Sequence, residues 1–133
     1  MLENSEAFSG FSTPDTAVAR QFYESVLGLT VVDEGMGGLI SLMLAQGTRV
    51  LIYPKPDHVP ASFTVLNFAV ADIDEAVDAL TAAGVQMTRY EGMHQDHKGI
   101  MRGVASGWGP DQAWFTDPGG NILSVLNGNP PPA

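Results

Sequence analysis

Apolar side chains recur along the chain in two rhythms, a period of two that marks strands and a period near three and a half that marks helices. The two rhythms follow one another in the same order twice. Residues 8–13 alternate as a short strand. Thr13, Pro14 and Asp15 then offer a capping hydroxyl, a proline for the first helical position and an acid for the first turn. Along the helix so started, Val18, Phe22 and Val26 form an apolar stripe and Arg20 and Glu24 lie four apart on another, while Gly28 is placed to end it in a left-handed cap. Strands are predicted at 29–34, 39–45 and 48–53, with the glycine-rich segment 35–38 and Gln46-Gly47 as turns.

The second pass opens with a strand over 63–70 and runs into Asp72, with Glu75 three residues on, as in a capping box. Ala76, Val77 and Leu80 supply the apolar face of this helix and Gly84 stops it. Strands follow at 85–90, 112–117 and 122–126, the last two joined by the tight turn Pro118-Gly119-Gly120-Asn121. Each half therefore reads strand, helix, strand, strand, strand. Pairing Asp15 with Asp72 and Gly28 with Gly84 gives offsets of 57 and 56. The predicted organisation is a single domain over 1–133, with one module at 8–53, a proline-stiffened linker at 54–62, a second module at 63–127 and a frayed tail at 128–133. The halves differ where the second has a segment, 91–111, with five glycines, two histidines, a tryptophan and no clear period. A loop of that length in a compact domain points to a lid or pocket wall.

With 133 residues, of which 44% are hydrophobic and 16% charged, the chain has the length and composition of one compact domain. A chain of this size buries roughly two-thirds of the surface its unfolded form exposes, so a metal would serve chemistry and not folding. Six Lys and Arg stand against fifteen Asp and Glu, a net charge of −9, which makes nucleic acid and anionic membrane poor partners. The absence of cysteine removes disulfides, thiolate metal sites and cysteine nucleophiles. Acids at Glu3 and Glu6, where a secretory signal would carry bases before an apolar run, predict a cytoplasmic protein.

Asp15, Phe22-Tyr23 and Leu27-Gly28-Leu29 in the first half, with Ala71-Asp72-Ile73-Asp74 and the run from Trp114 through Asp117-Pro118-Gly119-Gly120-Asn121 to Leu123 in the second, resemble the vicinal oxygen chelate superfamily. That group includes glyoxalase I, extradiol dioxygenases, fosfomycin-resistance transferases and bleomycin-resistance binding proteins. The resemblance spans about residues 8–127 and implies an α+β fold of two βαβββ modules. Their eight strands would form a cupped, incompletely closed sheet around a ligand cavity, in a homodimer. It also implies where a divalent metal would be held. Seven residues before Asp15 is Phe8, seven before Asp72 is Val65, and three after Asn121 is Ser124. Residues 49–53 of the fourth strand offer no carboxylate, imidazole or amide. All four implied ligand positions depart from the pattern, so the expectation is a cavity with no metal and no cofactor.

His94-Gln95-Asp96-His97 sets three potential ligands in four residues, with Glu91 nearby, and matches no helix or hairpin chelate. The plainer reading is a solvated polar loop. No Gly-x-Ser-x-Gly elbow is present. Phe11, Phe22 and Phe68 lie in periodic elements and are expected in the core, whereas Tyr53, Tyr90, Trp108 and Trp114 lie at strand ends or in the long loop, where an amphipathic ring suits a pocket. Alternation sets Phe8 with Ser12, Val65 with Asn67, and Ser124 with Leu126 on common faces, which the resemblance makes cavity faces. The expected cavity residues are Phe8, Tyr53, Val65, Asn67, Trp108, Trp114 and Ser124. The favoured function is binding of a small organic ligand. A glyoxalase-like lyase or dioxygenase with ligands relocated to His94, Asp96 or His97 is the second reading, and a regulatory dimer the third.

Overall fold

The computed structural model describes residues 1–128; the positions 129–133 of the expected tail lie outside the described residues. The chain divides into two compact units, the first ending at Pro60 and the second beginning at Ala61.

In the first unit β1 (Ser9–Thr13), β2 (Thr30–Asp33), β3 (Ile40–Met43) and β4 (Arg49–Pro54) make one sheet in the order β1-β4-β3-β2. β1 runs parallel to β4, a pairing that the helix and two hairpins between them allow, and the other pairs are antiparallel hairpins. One face carries Phe11, Val31, Ile40, Leu42, Val50 and Ile52, all buried. α1 (Thr16–Gln21) covers it and continues into a π-helical turn at Phe22–Val26. The helix start differs from expectation. Its N-cap is Asp15, whose Oδ1 accepts from Ala17 N and Val18 N, so Thr13 and Pro14 precede the helix. A carboxylate reaches two of the helix's unbonded amides, and the Thr13 hydroxyl is drawn inward, fully buried, by the end of β1.

The buried stripe also differs: Ala19 and Tyr23 are inaccessible while Val18 is 46% exposed. Tyr23 packs against Phe11 and edge-on against Phe22, the latter at 5.2 Å between ring centres. The π turn, closed by Leu27 N donating to Phe22 O, takes in one residue more than an α turn would. It accounts for the mismatch between the offsets of 57 and 56. Gly28 then stops the helix at φ 71°, a conformation a side chain would resist.

The second unit holds β5 (Thr64–Val70), α2 (Ile73–Ala82), β6 (Met101–Arg102), α3 (Gly103–Ser106), β7 (Asp111–Thr116) and β8 (Ile122–Asn127), with strand order β5-β8-β7-β6. Asp72 caps α2 by accepting from Glu75 N. Ile73 and Val77 are buried, on the side of the sheet that carries Ala113, Phe115, Leu123 and Val125, with Phe68 half-buried beside them. Asp117 shapes the β7–β8 turn, its Oδ1 accepting from Gly119 N and Asn121 N.

The strand expected at 85–90 does not form. Only Thr88 bridges, donating to Trp114 O at 2.7 Å. The side chain of Gln95 occupies the backbone groups a ladder would need: its Oε1 accepts from Tyr90 N, and its Nε2 donates to Thr88 O and Gly99 O. The edge of the sheet is instead β6, and both β6 and α3 fall inside the segment expected to be a loop. Each unit is nonetheless a βαβββ arrangement, and the class is α+β. Among the described residues no helix is long and apolar enough to cross a membrane.

Candidate functional site

Residues opposite one another in neighbouring strands share a face. In the second unit Asn67 lies beside Ser124, Trp114 opposite Ser124, and Met101 opposite Gln112. These five side chains therefore occupy the face away from α2. Ser124 Oγ donates to Asn67 Oδ1 at 2.5 Å, and Gln112 Nε2 donates to Ser124 Oγ at 3.1 Å and Asn67 Oδ1 at 3.3 Å. Three neutral groups thus hold one another, with Ser124 buried and Asn67 exposed. Trp114 is fixed beside them, its Nε1 donating to Thr64 Oγ1 and its ring meeting Tyr90 edge-on at 5.7 Å. Val65 is the extra residue of a bulge between Thr64 and Leu66 and has no ladder partner.

Beside β6 the chain encloses a groove of about 820 Å³, lined by Tyr90, Met93, His94, Met101, Arg102 and Trp108 among others. That volume is within the range of small-molecule sites. Burial pushes the Tyr90 hydroxyl pKa up. Trp108, 86% exposed, stands at the rim. It is held there by backbone: Trp108 N donates to Gly103 O, and Val104 N donates to Asp111 Oδ1. Gly103 permits this closure, since a Cβ there would lie 2.3 Å from Pro110 O.

Two of the groove's lining residues, Arg102 and Asp96, belong to an ion cluster. Arg102 spans the Asp74 carboxylate with two hydrogen bonds at 3.0 and 2.8 Å, reaches Asp96 Oδ2 at 2.9 Å and lies 3.5 Å from Asp111. Lys98 joins Asp74 and Asp78. The Arg102 hydrogen bonds hold the Asp74 carboxyl at a pKa of about 2. Burial would raise Asp96, but the Ile100 and Lys98 amides together with Arg102 hold it below its ordinary value.

The first unit has an open face of its own. Phe8, just before β1 and 50% exposed, lies under the Arg49 guanidinium at 4.2 Å. Tyr53, 40% exposed, pairs in register with Ser12, whose Oγ is 2.6 Å from His58 Nδ1.

Of the expected cavity residues, Phe8 and Tyr53 lie on the open face of the first unit and Asn67, Trp114 and Ser124 on that of the second, while Val65 sits in the β5 bulge and Trp108 at the groove rim. The alternative set does not come together. His94 lines the groove, the Asp96 carboxylate is taken up by amides and Arg102, and His97 edges a separate cavity of about 760 Å³ beside α2. Among the described residues no group of three or more His, Asp or Glu side chains is arranged to hold a metal ion. A divalent ion does not fit the positions implied by the resemblance either: Phe8 and Val65 offer no donor, a guanidinium already sits over Phe8, and the Ser124 hydroxyl is engaged. Sequence reasoning missed Gln95 and Gln112. Strand alternation from Trp114 would have put Gln112 on the open face; nothing marked Gln95.

The model of the family described as the Glyoxalase/Bleomycin resistance protein/Dioxygenase superfamily matches residues 9–125. No curated protein matches the chain. Among solved structures, a bleomycin resistance determinant encoded on the transposon Tn5 is 21% identical with a TM-score of 0.69, over 96% of this chain and 100% of that one. TnmS3, an antibiotic binding protein from Streptomyces, is 20% identical with a TM-score of 0.65, over 95% and 98%. The fosfomycin resistance protein FosX from Listeria monocytogenes is 13% identical with a TM-score of 0.67, over 95% and 92%. At these identities the likeness is one of fold.

Proposed function

Because the chain belongs to the glyoxalase/bleomycin resistance protein/dioxygenase superfamily, we propose that it is a metal-independent binder of a small organic molecule, acting in the cytoplasm as a homodimer. The groove beneath Trp108 carries this reading. It is large enough for a drug-sized ligand and offers the rings of Tyr90 and Trp108 and the side chains of Met93 and Met101 as apolar contacts. The engaged Ser124–Asn67–Gln112 group supports the metal-independent part, since its neutral amides and hydroxyl bond one another and lack the charge to hold a divalent cation. Two of the similar structures are, by their descriptions, an antibiotic binding protein and a bleomycin resistance determinant. The exposed apolar side chains of the first unit's open face, Phe8, Val32, Met43 and Tyr53, favour a second copy as their cover.

The test is a fluorescence screen of planar heteroaromatic compounds against the protein purified without chelator, with elemental analysis of the same sample. Micromolar binding that quenches tryptophan emission, weakened several-fold by Trp108→Ala, with less than a tenth of an equivalent of transition metal, is the expected result. One equivalent of zinc, manganese, nickel or iron per chain, or binding indifferent to Trp108, would overturn it.

A further inference from the structure

The charges around the groove are not balanced in the way its volume alone would suggest. Arg102 is the single Lys or Arg among the lining residues, and its guanidinium is already shared among Asp74, Asp96 and Asp111. Lys98, behind it, is divided between Asp74 and Asp78. Neither has a charge to spare for an incoming anion. Glu91 is different. It lines the groove, is exposed, and makes no ion pair among the described residues. It follows directly on Tyr90, which lines the same groove, as does Trp108.

A carboxylate free of a cationic partner, in a groove that a Tyr and a Trp also line, is a combination that attracts an organic cation. The ring faces present negative quadrupole density, and the carboxylate adds a full charge. Methionine sulfur at Met93 and Met101 is soft and polarizable and suits a flat, delocalised cation better than a compact ammonium. An anionic ligand would meet the Glu91 carboxylate while Arg102 is already engaged by Asp74, Asp96 and Asp111.

We propose that the groove selects planar organic cations, aromatic systems carrying a delocalised positive charge, with Glu91 as the residue that reads the charge and Trp108 and Tyr90 as those that read the plane. This inference rests on the ligand-binding reading above and adds the chemical class of ligand.

Three flat tricyclic probes of similar size separate the possibilities: 9-aminoacridine, which is cationic at neutral pH, neutral acridine and anionic anthracene-9-carboxylate. Each is titrated into the full chain, with probe fluorescence anisotropy as the readout. The parent protein is compared with the variants Glu91→Gln, Trp108→Ala and Glu6→Gln. Glu6 is an exposed carboxylate of the first unit, and its variant removes the same charge from the net −9 at a remote place. The expected result is that the cation binds about tenfold more tightly than the neutral probe and the anion more weakly still, with Glu91→Gln erasing most of that ratio and Glu6→Gln leaving it. If all three probes bind alike and lose affinity equally in Trp108→Ala, the groove binds ligands but the charge selection is wrong. If Glu6→Gln lowers the cation's affinity as much as Glu91→Gln does, the selection belongs to the net charge and not to the groove, and the inference falls. If no probe binds, or Trp108→Ala changes nothing, the ligand-binding reading fails and this inference with it.

Discussion

Replacement of Gln95 by Met tests the part of the structure that converts an irregular segment into a groove. Gln95 is half-buried, and its amide makes three hydrogen bonds to backbone, at 2.8 Å from Tyr90 N, 2.9 Å to Thr88 O and 2.8 Å to Gly99 O. Methionine keeps the length and volume of the side chain and removes all three, so packing changes little. A net hydrogen bond contributes about 1 kcal/mol, and the groups of half-buried Thr88 and Tyr90 recover some of the loss from water. The expected destabilisation is therefore about 2 kcal/mol, a fall of about 7 °C in melting temperature for a chain of this size. Urea denaturation followed by circular dichroism measures the first, and hydrogen exchange at the Tyr90 amide reports the bond directly. That amide should exchange much faster while amides of β8 keep their protection relative to global stability. Because Tyr90 lines the groove, the affinity for a planar probe should fall as well. A melting temperature within 1 °C of the parent, together with unchanged exchange at Tyr90, would show that Gln95 does not hold the segment and that the missing strand at 85–90 has another cause.

The ion cluster predicts a specific acid response. Asp74 has a folded pKa of about 2 against an ordinary 3.8, and Asp96 is also lowered. Their contribution is thus fully present above about pH 4 and is lost as pH falls toward 2; urea midpoints across that range should drop steeply, and less steeply in Arg102→Gln, which starts from lower stability. Gly103→Ala forces a Cβ against Pro110 O and should destabilise by about 1–3 kcal/mol while shifting the emission of Trp108, with β-sheet circular dichroism retained. Light scattering at micromolar concentration should give about twice the chain mass of 14.1 kDa; a mass near that of one chain counts against the homodimer.

Strand and helix order was legible wherever a local signal agreed with the period. Asp72 with Glu75, Gly28, and the Asp117–Asn121 turn each act through neighbours a few residues away, so sequence alone locates them. The stripe on α1 was misjudged because periodicity counts Val18 as apolar and Tyr23 as amphipathic, whereas the sheet offers Tyr23 the larger contact. The groove was only half legible. Trp108 marks a pocket as an amphipathic ring in the long segment 91–111, but the clamp of Gln95 and the sharing of Arg102 among Asp74, Asp96 and Asp111 join residues up to 28 positions apart. No period in the sequence encodes such a meeting. His94, Asp96 and His97 show the converse, a dense local motif whose members the fold sends to three different tasks.

The π turn at Phe22–Val26 has a consequence for how the two modules can be compared. One residue added to an ordinary helix rotates everything after it by about 100°. Here a wider turn takes up the surplus, so Gly28 and β2 leave the first helix much as Gly84 leaves the second. The repeat is thus kept in phase by geometry although its text has slipped by a letter. Aligning the two halves residue for residue requires a gap, and its proper position is this turn. Variation in the length of the first helix can therefore be absorbed without re-registering the sheet that follows it.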